Sequence, residues 1–526
     1  MNKPVNQSKS FWDTTVPMTL IIIVSILFSV LLAVKGFSQT TFQKIIGTYA
    51  YDAHKVVNGN GYVFGGISSI IWPPAQRNNY VVRTDVNGDT LWTSCWGGTT
   101  GSCDQQYIND LCPLMDGGVI ANGGKGVCGD TTKGGNIARL DALGNVKCAK
   151  YFSIGCDPYP CIQSNDGNFI SGGYISIGPN SPIDAYMTKL DSATGDTIWS
   201  RRYGGTGLDW FYHILQTADN GYLAAGRTNS FGQGGDDIYL VKTDANGNLM
   251  WSKTYGTGLN ESAFGHCLQP TSDGGYILAG SSGAAQGIFL LKLDASGNMS
   301  WAKYYDGQYA HAVKQTPDGG YVITGTSGGD VVLIKTDGSG NISWNKAYGS
   351  TGAEQGLILE LASDGGYVVG GTTKGWGQGL YIVKTDSNGN SGCNETSPVI
   401  TSSVAPFIVT NAATQVSKGP QTVSYPFLFA RGATITDLCS TVGINEPENN
   451  SISVFIYPNP SSAIFNVTGK INSEISVYNI FGQKINSSKI IAENTQLDLK
   501  NQASGIYFLR VKNGQETLTQ KIIIQK

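Results

Sequence analysis

The stretch that decides the fold is residues 273–280, DGGYILAG. It is followed by an apolar run at 288–293 (IFLLKL), by a turn at 294–298 (DASGN), and by Trp301. The same phrase recurs along most of the chain. A repeat of this length indicates an architecture in which each copy forms one supersecondary unit that packs on its neighbours.

The two halves of the phrase recur separately. The residue after the glycines returns seven times, at spacings from 45 residues (Tyr276 to Tyr321) to 57 residues (Tyr62 to Val119). The Asp-x-x-Gly half also returns seven times, with one extra residue in the copy at 191–195. Glycine and asparagine tolerate positive φ, and aspartate bonds to turn backbone, so both halves predict tight turns. A tryptophan closes five copies: Trp92, Trp199, Trp251, Trp301 and Trp344.

Each copy predicts four short strands, and four-stranded units of about 40–50 residues are typical of β-propeller blades. The seventh copy ends after Asn390 without its fourth strand, whereas residues 42–48 (FQKIIGT) match residues 251–257 (WSKTYGT). A strand at the N-terminus that completes the last blade would close the ring and remove its open edges. We therefore predict an all-β, seven-bladed β-propeller over residues 39–391, closed by an N-terminal strand.

The phrase that ends in tryptophan is clearest at 191–199, DSATGDTIW. It resembles the repeat of tryptophan-docking propellers, including the quinoprotein type. The resemblance covers short phrases in each repeat, and it implies a fold and no chemistry. In such blades the tryptophan packs between neighbours, so we expect all five tryptophans to be structural.

Composition limits the classes of function. The chain has 526 residues, 70 of them glycine, and 14% are charged, with a net charge of −3. A nucleic-acid-binding surface would require clustered Lys and Arg, so no nucleic-acid partner is expected. Catalytic motifs such as a His-Glu-x-x-His helix or a P-loop are absent from the sequence.

The N-terminus is polar to residue 17 and then apolar from Met18 to Val34. We interpret residues 1–38 as a secretory signal peptide that is cleaved between Ser38 and Gln39. An uncleaved membrane anchor is the alternative, since the apolar run approaches the length of a membrane span. In the first case the mature chain has no transmembrane domain, and in both cases residues 39–526 lie outside the cytoplasm.

The repeats stop near residue 392, and we predict a spacer over 392–451, with some strands around 399–409 and 422–429. Residues 452–526 predict a separate small β unit. Its ordered motifs are Tyr457-Pro458-Asn459-Pro460, 475–482 (ISVYNIFG), 504–507 with Gly505 and Tyr507, and 521–526 from Lys521 to Lys526.

These motifs resemble the type A C-terminal sorting domain of the type IX secretion system. The resemblance covers about the last 75 residues and implies an Ig-like sandwich that is read at the outer membrane. It also implies a Bacteroidota-type bacterium, the type IX secretion machinery as a partner, and a destination on the cell surface or in the medium. Whether the mature protein is anchored or released stays open.

The ten cysteines suggest disulfides, because exported chains keep them. Local pairs at Cys95–Cys103 and Cys156–Cys161 fit the spacing, and Cys393–Cys439 would tie the spacer to the ring. Connectivity does not follow from sequence.

The four histidines, His54, His213, His266 and His311, lie 8 to 10 residues before the tyrosine of their repeats. They therefore fall near the start of the first strand of a blade, the strand that lines a propeller channel. One interpretation is a partial ring of imidazoles that binds an anion, a glycan or a metal. The alternative is inheritance from one ancestral blade.

A second recurring position is acidic: Asp104, Asp209, Glu261 and Glu354. These residues fall in the connections between blades, where they could help to bind Ca²⁺ or sugar hydroxyls, or could cap turns. No other cofactor is expected. The Asp-x-Asn-Gly turns at Asp85, Asp244 and Asp386 faintly resemble calcium loops, but hairpin turns explain them better.

Three functions are compatible with the sequence. The first is an exported propeller that acts as a binding or adhesion module for a glycan or another surface ligand. The second is a secreted enzyme that acts on polysaccharide from a site in the channel, which would require two carboxylates in one pocket. The third is a structural role in a surface layer. Convergence of side chains in one pocket would distinguish among them.

Overall fold

A computed structural model describes residues 41–46, 61–68, 78–97, 105–126, 134–152, 155–176, 178, 181–283, 287–374, 379–423, 428–430, 435–437, 455–457, 461–468, 471–479, 482–492, 495–513 and 516–525. All regular secondary structure in these residues is β-strand, which confirms the predicted all-β class. Contacts divide the chain into two compact units, residues 1–441 and 442–526. Each unit is described by itself.

The first unit begins with thirty strands whose bounds follow the repeats. They are β1 (Phe42–Ile46), β2 (Tyr62–Ser68), β3 (Asn78–Thr84), β4 (Thr90–Gly97), β5 (Gln105–Gln106), β6 (Asp110–Pro113), β7 (Val119–Gly123), β8 (Lys125–Gly126), β9 (Asn136–Leu140), β10 (Val146–Phe152), β11 (Cys156–Gln163), β12 (Phe169–Ser176), β13 (Ile183–Leu190), β14 (Thr197–Gly204), β15 (Asp209–Gln216), β16 (Tyr222–Thr228), β17 (Asp237–Thr243), β18 (Leu249–Gly256), β19 (Glu261–Ser262), β20 (Leu268–Pro270), β21 (Tyr276–Ser282), β22 (Gly287–Leu293), β23 (Met299–Tyr305), β24 (Tyr309–Gln315), β25 (Tyr321–Ser327), β26 (Asp330–Thr336), β27 (Ile342–Tyr348), β28 (Glu354–Leu361), β29 (Tyr367–Thr373) and β30 (Gly379–Lys384).

In the described residues these strands form seven large antiparallel sheets and the small pair β5–β8. We number the large sheets along the chain. Sheet 1 contains β2-β3-β4, sheet 2 contains β6-β7-β9-β10, sheet 3 contains β11 to β14, and sheet 4 contains β15 to β18. Sheet 5 contains β21-β22-β23 with β19 and β20 both on β21, sheet 6 contains β24 to β27, and sheet 7 contains β28-β29-β30-β1.

The first half of the repeated phrase is held within a sheet by an ion pair. Lys292 Nζ of the third strand lies 2.8 Å from Asp273 Oδ2 of the Asp-Gly-Gly turn, and it also donates to the carbonyl of Leu293. The same pair occurs in sheets 4, 6 and 7, as Lys242–Asp219, Lys335–Asp318 and Lys384–Asp364. The lysines are almost fully buried, so each aspartate compensates a charge that would otherwise be costly there.

The second half of the phrase joins one sheet to the next. A Cβ on Gly297 of sheet 5 would lie 2.7 Å from the ring of Trp251 in sheet 4, and the φ of Gly297 is +74°. Glycine is therefore required both by backbone conformation and by the tryptophan that covers it. The other pairs are Trp92 with Gly144, Trp199 with Gly247, Trp301 with Gly340, and Trp344 with Gly389.

The hydrophobic core is divided among the spaces between consecutive sheets. Separate clusters of buried side chains join sheets 1 and 2, 2 and 3, 3 and 4, 4 and 5, 5 and 6, and 6 and 7. A further cluster joins sheet 7 back to sheet 1, with Ile358 and Ile382 packed against Phe64 and Val82. The sheets therefore have a cyclic, propeller-like arrangement.

Strand β1 belongs to the last sheet although it comes first in the sequence. It pairs antiparallel with β30, from Phe42 opposite Lys384 to Ile46 opposite Leu380. Its buried Gln43 donates from Nε2 to Ser391 Oγ at 2.9 Å and accepts from Tyr381 Oη at 2.7 Å. These two hydrogen bonds link the N-terminal strand to the end of the seventh repeat.

Residues 395–437 carry seven more strands where the sequence predicted a spacer. They are β31 (Glu395–Thr396), β32 (Ser402–Val404), β33 (Ile408–Asn411), β34 (Gln415–Lys418), β35 (Thr422–Val423), β36 (Leu428–Ala430) and β37 (Ile435–Asp437). They add one outer strand to sheets 6, 5, 4, 3, 2, 1 and 7, in that order. We call this segment the belt.

The belt differs from a spacer because its backbone satisfies the outer edge of every large sheet. An open strand edge exposes unpaired amides and carbonyls, and the belt pairs with them. Its last strand, β37, pairs with β1, so β1 lies between β30 and β37. Most belt side chains are exposed, for example Val404 at 80%, but Phe407 is buried at 5% against Phe289 and Tyr304.

The second unit is a two-layer sandwich. Its strands are β38 (Phe455–Tyr457), β39 (Ile464–Thr468), β40 (Glu474–Asn479), β41 (Lys484–Lys489), β42 (Thr495–Asp498), β43 (Gly505–Asn513) and β44 (Glu516–Ile524). Sheets β38-β39-β42 and β41-β40-β43-β44 share one core, to which Phe465, Val477 and Leu509 contribute. Tyr507 is buried, and its hydroxyl donates to the carbonyl of Ala503 at 2.9 Å.

Several predicted features lie outside the described residues, and the structure corrects others. The signal sequence with Ser38 and Gln39, His54, Asp104, Pro458, Asn459, Pro460 and Lys526 lie outside the described residues. The predicted disulfides Cys95–Cys103 and Cys156–Cys161 are wrong, because Cys95 and Cys156 form no disulfide. Cys393 is disulfide-bonded, and Cys439, its predicted partner, is not among the described residues. No helix in the described residues is long and apolar enough to cross a membrane.

Phe407 should act as an anchor of the belt. We expect Phe407→Ala to lower the free energy of unfolding by about 3 kcal/mol, because it leaves a cavity between Phe289 and Tyr304. Urea unfolding followed by tryptophan fluorescence measures this. Val404→Ala is the matched control on the same belt, and it should change stability by less than about 0.5 kcal/mol. Equal stability of the two variants would contradict the anchoring role.

Candidate functional site

The centre of the ring is crossed by residues 263–267, AFGHC, which we call the central segment. In sheet 5 it separates β19 from β20, so the first strand of this sheet is interrupted. A Cβ on Gly265 (φ +60°) would lie 2.9 Å from the His311 carbonyl oxygen in sheet 6 and 3.6 Å from that of Leu357 in sheet 7. His266 Nε2 lies 3.3 Å from Asp110 Oδ1 in sheet 2. A segment of sheet 5 that contacts sheets 2, 6 and 7 must lie near their common axis.

Two of the four predicted histidines come together at this segment. The rings of His213 and His266 are both buried and meet edge to face, with centroids 5.5 Å apart. His213 Nδ1 accepts a hydrogen bond from the amide of Leu268 at 3.3 Å. The Asp110 carboxylate also accepts from the amides of Leu111 and Cys161, so it is held rigidly toward His266.

His311 occupies a different position. It is the bulged residue of β24, where the register shifts between Ala310 and Ala312. Burial lowers the pKa of His311 to about 4, so its ring is neutral at physiological pH. Its described ring contact is with Tyr309, at 6.5 Å between centroids.

One side of the central segment carries a pocket of about 420 Å³, which we call the axial pocket. It is lined in part by His213 and His266, and by Gln163, Gln216, Gln269 and Lys314 near the C-terminal ends of the first strands. Lys314 is paired with Glu360 at 3.0 Å. The axial pocket thus offers amides, imidazoles and a neutralised cation to a polar ligand.

The predicted interblade acids do not converge. Asp209 accepts from Ser230 Oγ at 2.7 Å, Glu261 from Ser282 Oγ at 3.1 Å, and Glu354 from Thr373 Oγ1 at 2.8 Å. All three are fully buried, and each also accepts from an amide in the loop just before it. Burial raises the pKa of Asp209. These contacts are those expected if the acids cap turns. None of the three carboxylates points toward a ligand site shared with the others.

The turns that resemble calcium loops are hairpins in the structure. Asp85 Oδ1 accepts from the amides of Asn87 and Asp89, and Asp244 and Asp386 make the equivalent bonds. Their carboxylates are therefore used by the backbone of their own turns. Across the described ranges, no group of three or more His, Cys, Asp or Glu side chains is placed to hold a metal ion.

The other side of the central segment carries a contiguous cluster of aromatic side chains. It contains Tyr159, Tyr174, Trp210, Tyr212 and Phe264, and we call it the aromatic rim. Trp210 stacks on Tyr174 at 4.6 Å, and Tyr212 contacts Tyr159 at 5.2 Å and Phe264 at 4.8 Å between ring centroids. Four of the five rings keep part of their surface exposed, and Tyr212 is 6% exposed.

Two β-bulges determine where two side chains of the aromatic rim lie. The register shifts between Pro158 and Cys161 in β11 and between Phe211 and His213 in β15, so Tyr159 and Tyr212 lie at the bulges. A bulge re-aims a side chain, and here both are brought to the N-terminal halves of the first strands. The axial pocket lies at the opposite ends of the same strands, where Gln163 and Gln216 are found.

Charged groups complete the rim. Asp157 accepts hydrogen bonds from Tyr107 and Tyr174 at 3.1 Å and from Asn109 at 3.2 Å. Burial raises the pKa of Asp157 to about 6. The guanidinium of Arg227 lies 4.1 Å above the ring of Trp210 and pairs with Asp236 at 2.8 Å.

The sequence analysis did not identify the rim, although four of its members occupy recurring offsets. Tyr159 and Tyr212 lie 10 residues before the aromatic residue of their repeats, and Trp210 and Phe264 lie 12 residues before it. The available signal was the concentration of aromatic residues near the first strands of sheets 3 and 4, as in residues 209–212, DWFY.

Comparison with known proteins identifies the C-terminal unit. Residues 455–525 match the family described as a secretion system C-terminal sorting domain. The predicted resemblance of the tail to a type IX sorting domain is therefore confirmed. The tail implies export by that route, interaction with its machinery, and a location on the cell surface or in the medium.

The remaining similarities are weaker. Beta-agarase A of Zobellia galactanivorans is 34% identical over 101 residues, which is 19% of this chain and 16% of the agarase. A protein of unknown function from Bacteroides caccae is 13% identical over 58% of this chain and 93% of its own, with a TM-score of 0.34. Sqt1 from Chaetomium thermophilum is 11% identical over 66% and 99%, with a TM-score of 0.36. TM-scores of this size do not establish a common fold.

The lowered pKa of His311 predicts a pH effect on stability. Its folded pKa of about 4 lies below the ordinary value of 6.5, so the unfolded chain binds the proton more tightly. Stability should therefore fall as the pH decreases from about 6.5 to 4, by up to about 3 kcal/mol for this residue.

His311→Asn should remove that contribution. Asp157 and Asp237, whose pKa values burial raises to about 6, act in the opposite direction but remain in both proteins. The test is urea unfolding at a series of pH values, with the difference between wild type and variant plotted against pH. A flat difference between pH 7 and pH 4 would contradict the burial of a neutral imidazole.

Proposed function

We propose that this protein is an exported binding or adhesion module, a closed seven-bladed β-propeller delivered to the cell surface or the medium by its sorting tail. The observation that carries the proposal is the match of residues 455–525 to a secretion sorting domain, on a chain whose other unit is a ring of sheets. A sorting tail determines where a protein is delivered, so the function of this protein depends on the ring of sheets that the tail accompanies.

The closed propeller is supported by two observations. Buried clusters link each sheet to the next and sheet 7 to sheet 1, and strand β1 supplies the fourth strand of sheet 7. On this proposal the signal peptide covers residues 1–38 and is cleaved between Ser38 and Gln39. The first described strand, which begins at Phe42, then starts shortly after the new N-terminus.

A binding role is supported by the nature of the two central surfaces. The axial pocket and the aromatic rim present amides, imidazoles and aromatic rings, whereas Asp209, Glu261 and Glu354 serve their own loops. Concave surfaces with a few convergent polar groups are typical ligand sites. A glycan or another surface ligand is the expected partner.

The alternative is a secreted enzyme that acts on polysaccharide. It is favoured by the similarity to a protein named Beta-agarase A, although the chain spans only 16% of that protein. Glycoside hydrolysis usually needs two carboxylates about 5–10 Å apart. Assay of reducing ends after incubation with agarose separates the two functions, and sustained release of new ends would favour the enzyme.

The export route can be tested by removal of the tail. Deletion of residues 452–526 should leave a folded ring that accumulates in the periplasm, because the ring has its own core and the address is lost. Cell fractionation with an antibody against the ring measures the distribution, and a periplasmic marker controls for leakage. Undiminished surface or secreted protein in the deletion strain would overturn the sorting role.

A further inference from the structure

We propose that the aromatic rim is a binding site for a neutral oligosaccharide, such as the end of a polysaccharide chain. The inference rests on the proposed function, because it gives a location and a ligand class to the binding module. Four observations lead to it: the continuity of the rings, their unpartnered polar atoms, the charge balance, and the position in the fold.

The rings form one surface built from three sheets. Tyr159 and Tyr174 come from sheet 3, Trp210 and Tyr212 from sheet 4, and Phe264 from the central segment of sheet 5. Successive rings lie 4.6 to 6.1 Å apart. Aromatic rings combine an apolar body with a polar edge, which suits ligands that have both kinds of surface. Sugar rings have this character, with C–H faces bordered by hydroxyl groups.

Three buried polar atoms of this region lack a hydrogen-bond partner: Trp210 Nε1, Tyr212 Oη and Arg227 Nε. Leaving such atoms unpaired costs about 1–3 kcal/mol each, and native proteins keep few of them. Two are pure donors and one is a hydroxyl that can donate or accept. Sugar hydroxyls, which both donate and accept, suit all three atoms, and a ligand reaches them when the side chains that cover them move aside.

The charge balance selects a neutral ligand. Arg227 is neutralised by Asp236 at 2.8 Å, and the Asp157 carboxylate is occupied by Tyr107, Tyr174 and Asn109. An anionic sugar would need an uncompensated cation, and the rim provides none among the described residues. A cationic ligand would need an open aromatic face, but the Trp210 ring is already contacted by Arg227 and Tyr174.

The position in the fold keeps this site separate from the axial pocket. Tyr212 and Gln216 lie four residues apart on β15, which corresponds to about 13 Å along a strand. The central segment lies between the two surfaces, with Phe264 in the rim and His266 on the pocket. A ligand at the rim can therefore be tested without disturbing the histidines.

The experiment is isothermal titration of the full exported chain with neutral hexasaccharides of the cello-, xylo-, manno- and agaro- series, with oligoalginate as the anionic comparison. At least one neutral series should bind. Tyr212→Phe should then weaken binding about 5–10-fold through loss of one hydrogen bond. The same variant should unfold at an equal or higher urea concentration, because the hydroxyl it removes is unpartnered in the free protein. Trp210→Phe, which removes the indole donor together with part of the ring surface, should weaken binding at least as much.

Tyr304→Phe is the matched control. Tyr304 is 5% exposed and its hydroxyl is also unpartnered, but it packs against Phe407 under the belt. This variant should bind as wild type does. Failure of every neutral oligosaccharide, preference for oligoalginate, or equal affinity of the Tyr212→Phe and wild-type proteins would overturn the inference. Fractionation of the same cells reports export independently, so a protein that is exported but binds no neutral sugar would refute this site and leave the export route standing.

Discussion

The rest of the structure depends on the position of one five-residue strand. Strand β1 pairs with β30 on one side and with β37 on the other, so it is held by the seventh repeat and by the end of the belt. Its backbone groups are used on both edges, which is the condition a strand must meet to avoid further pairing. Because β37 ends at Asp437, the strand that pairs with the outer edge of β1 comes from the end of the first unit.

The repeated phrase builds the scaffold, and departures from it build the candidate sites. Glycines under tryptophan rings recur at five junctions between sheets, and lysines paired with turn aspartates recur in sheets 4 to 7. Some departures compensate one another. Asp237 of β17 packs so closely against Gly256 that a Cβ at residue 256 would not fit. Sheet 5 has the reverse arrangement, with Gly287 at the position of the aspartate and Asp306 at the position of the glycine. The central segment lies where the first strand of sheet 5 is interrupted. Bulges occur in the first strands of sheets 3, 4, 6 and 7, and in sheets 3 and 4 the residues at the bulges include Tyr159 and Tyr212 of the aromatic rim.

Much of the scaffold could be predicted from the sequence because repetition amplifies a weak signal. The turns at 273–275 and 294–297, the assignment of Trp251 and Trp301 to packing, and the tail strands around Ile475 and Tyr507 all follow from local patterns. The belt could be recognised only in part: strands were predicted around 399–409 and 422–429, where β32, β33, β35 and β36 occur, but their pairing with the outer edges of the sheets was not. Its strands, such as Ser402–Val404, are exposed on both faces, so they lack the alternation that identifies a half-buried strand. Its partners also lie between about 50 and 390 residues away in sequence, a separation that no local pattern reports.

The sites were predicted less well than the scaffold for a related reason. Offsets within repeats placed His213 and His266 near the axis, and these two rings do meet, but only because an irregular segment carries His266 across the centre. The acids Glu261 and Glu354 recur because loops need caps, and recurrence alone cannot separate a cap from a ligand. The rim depends on bulges in β11 and β15, and bulges leave little trace in sequence.

The central claim is that the ring is closed by β1 between β30 and β37. Native-state hydrogen exchange of the exported protein, followed by mass spectrometry of peptic fragments, tests it most directly. The account predicts that amides of residues 42–46 exchange as slowly as those of β28 to β30, through the same global opening. Rapid exchange of residues 42–46 while β28 to β30 remain protected would contradict it, since the N-terminal strand would then be a frayed end and the ring would be open.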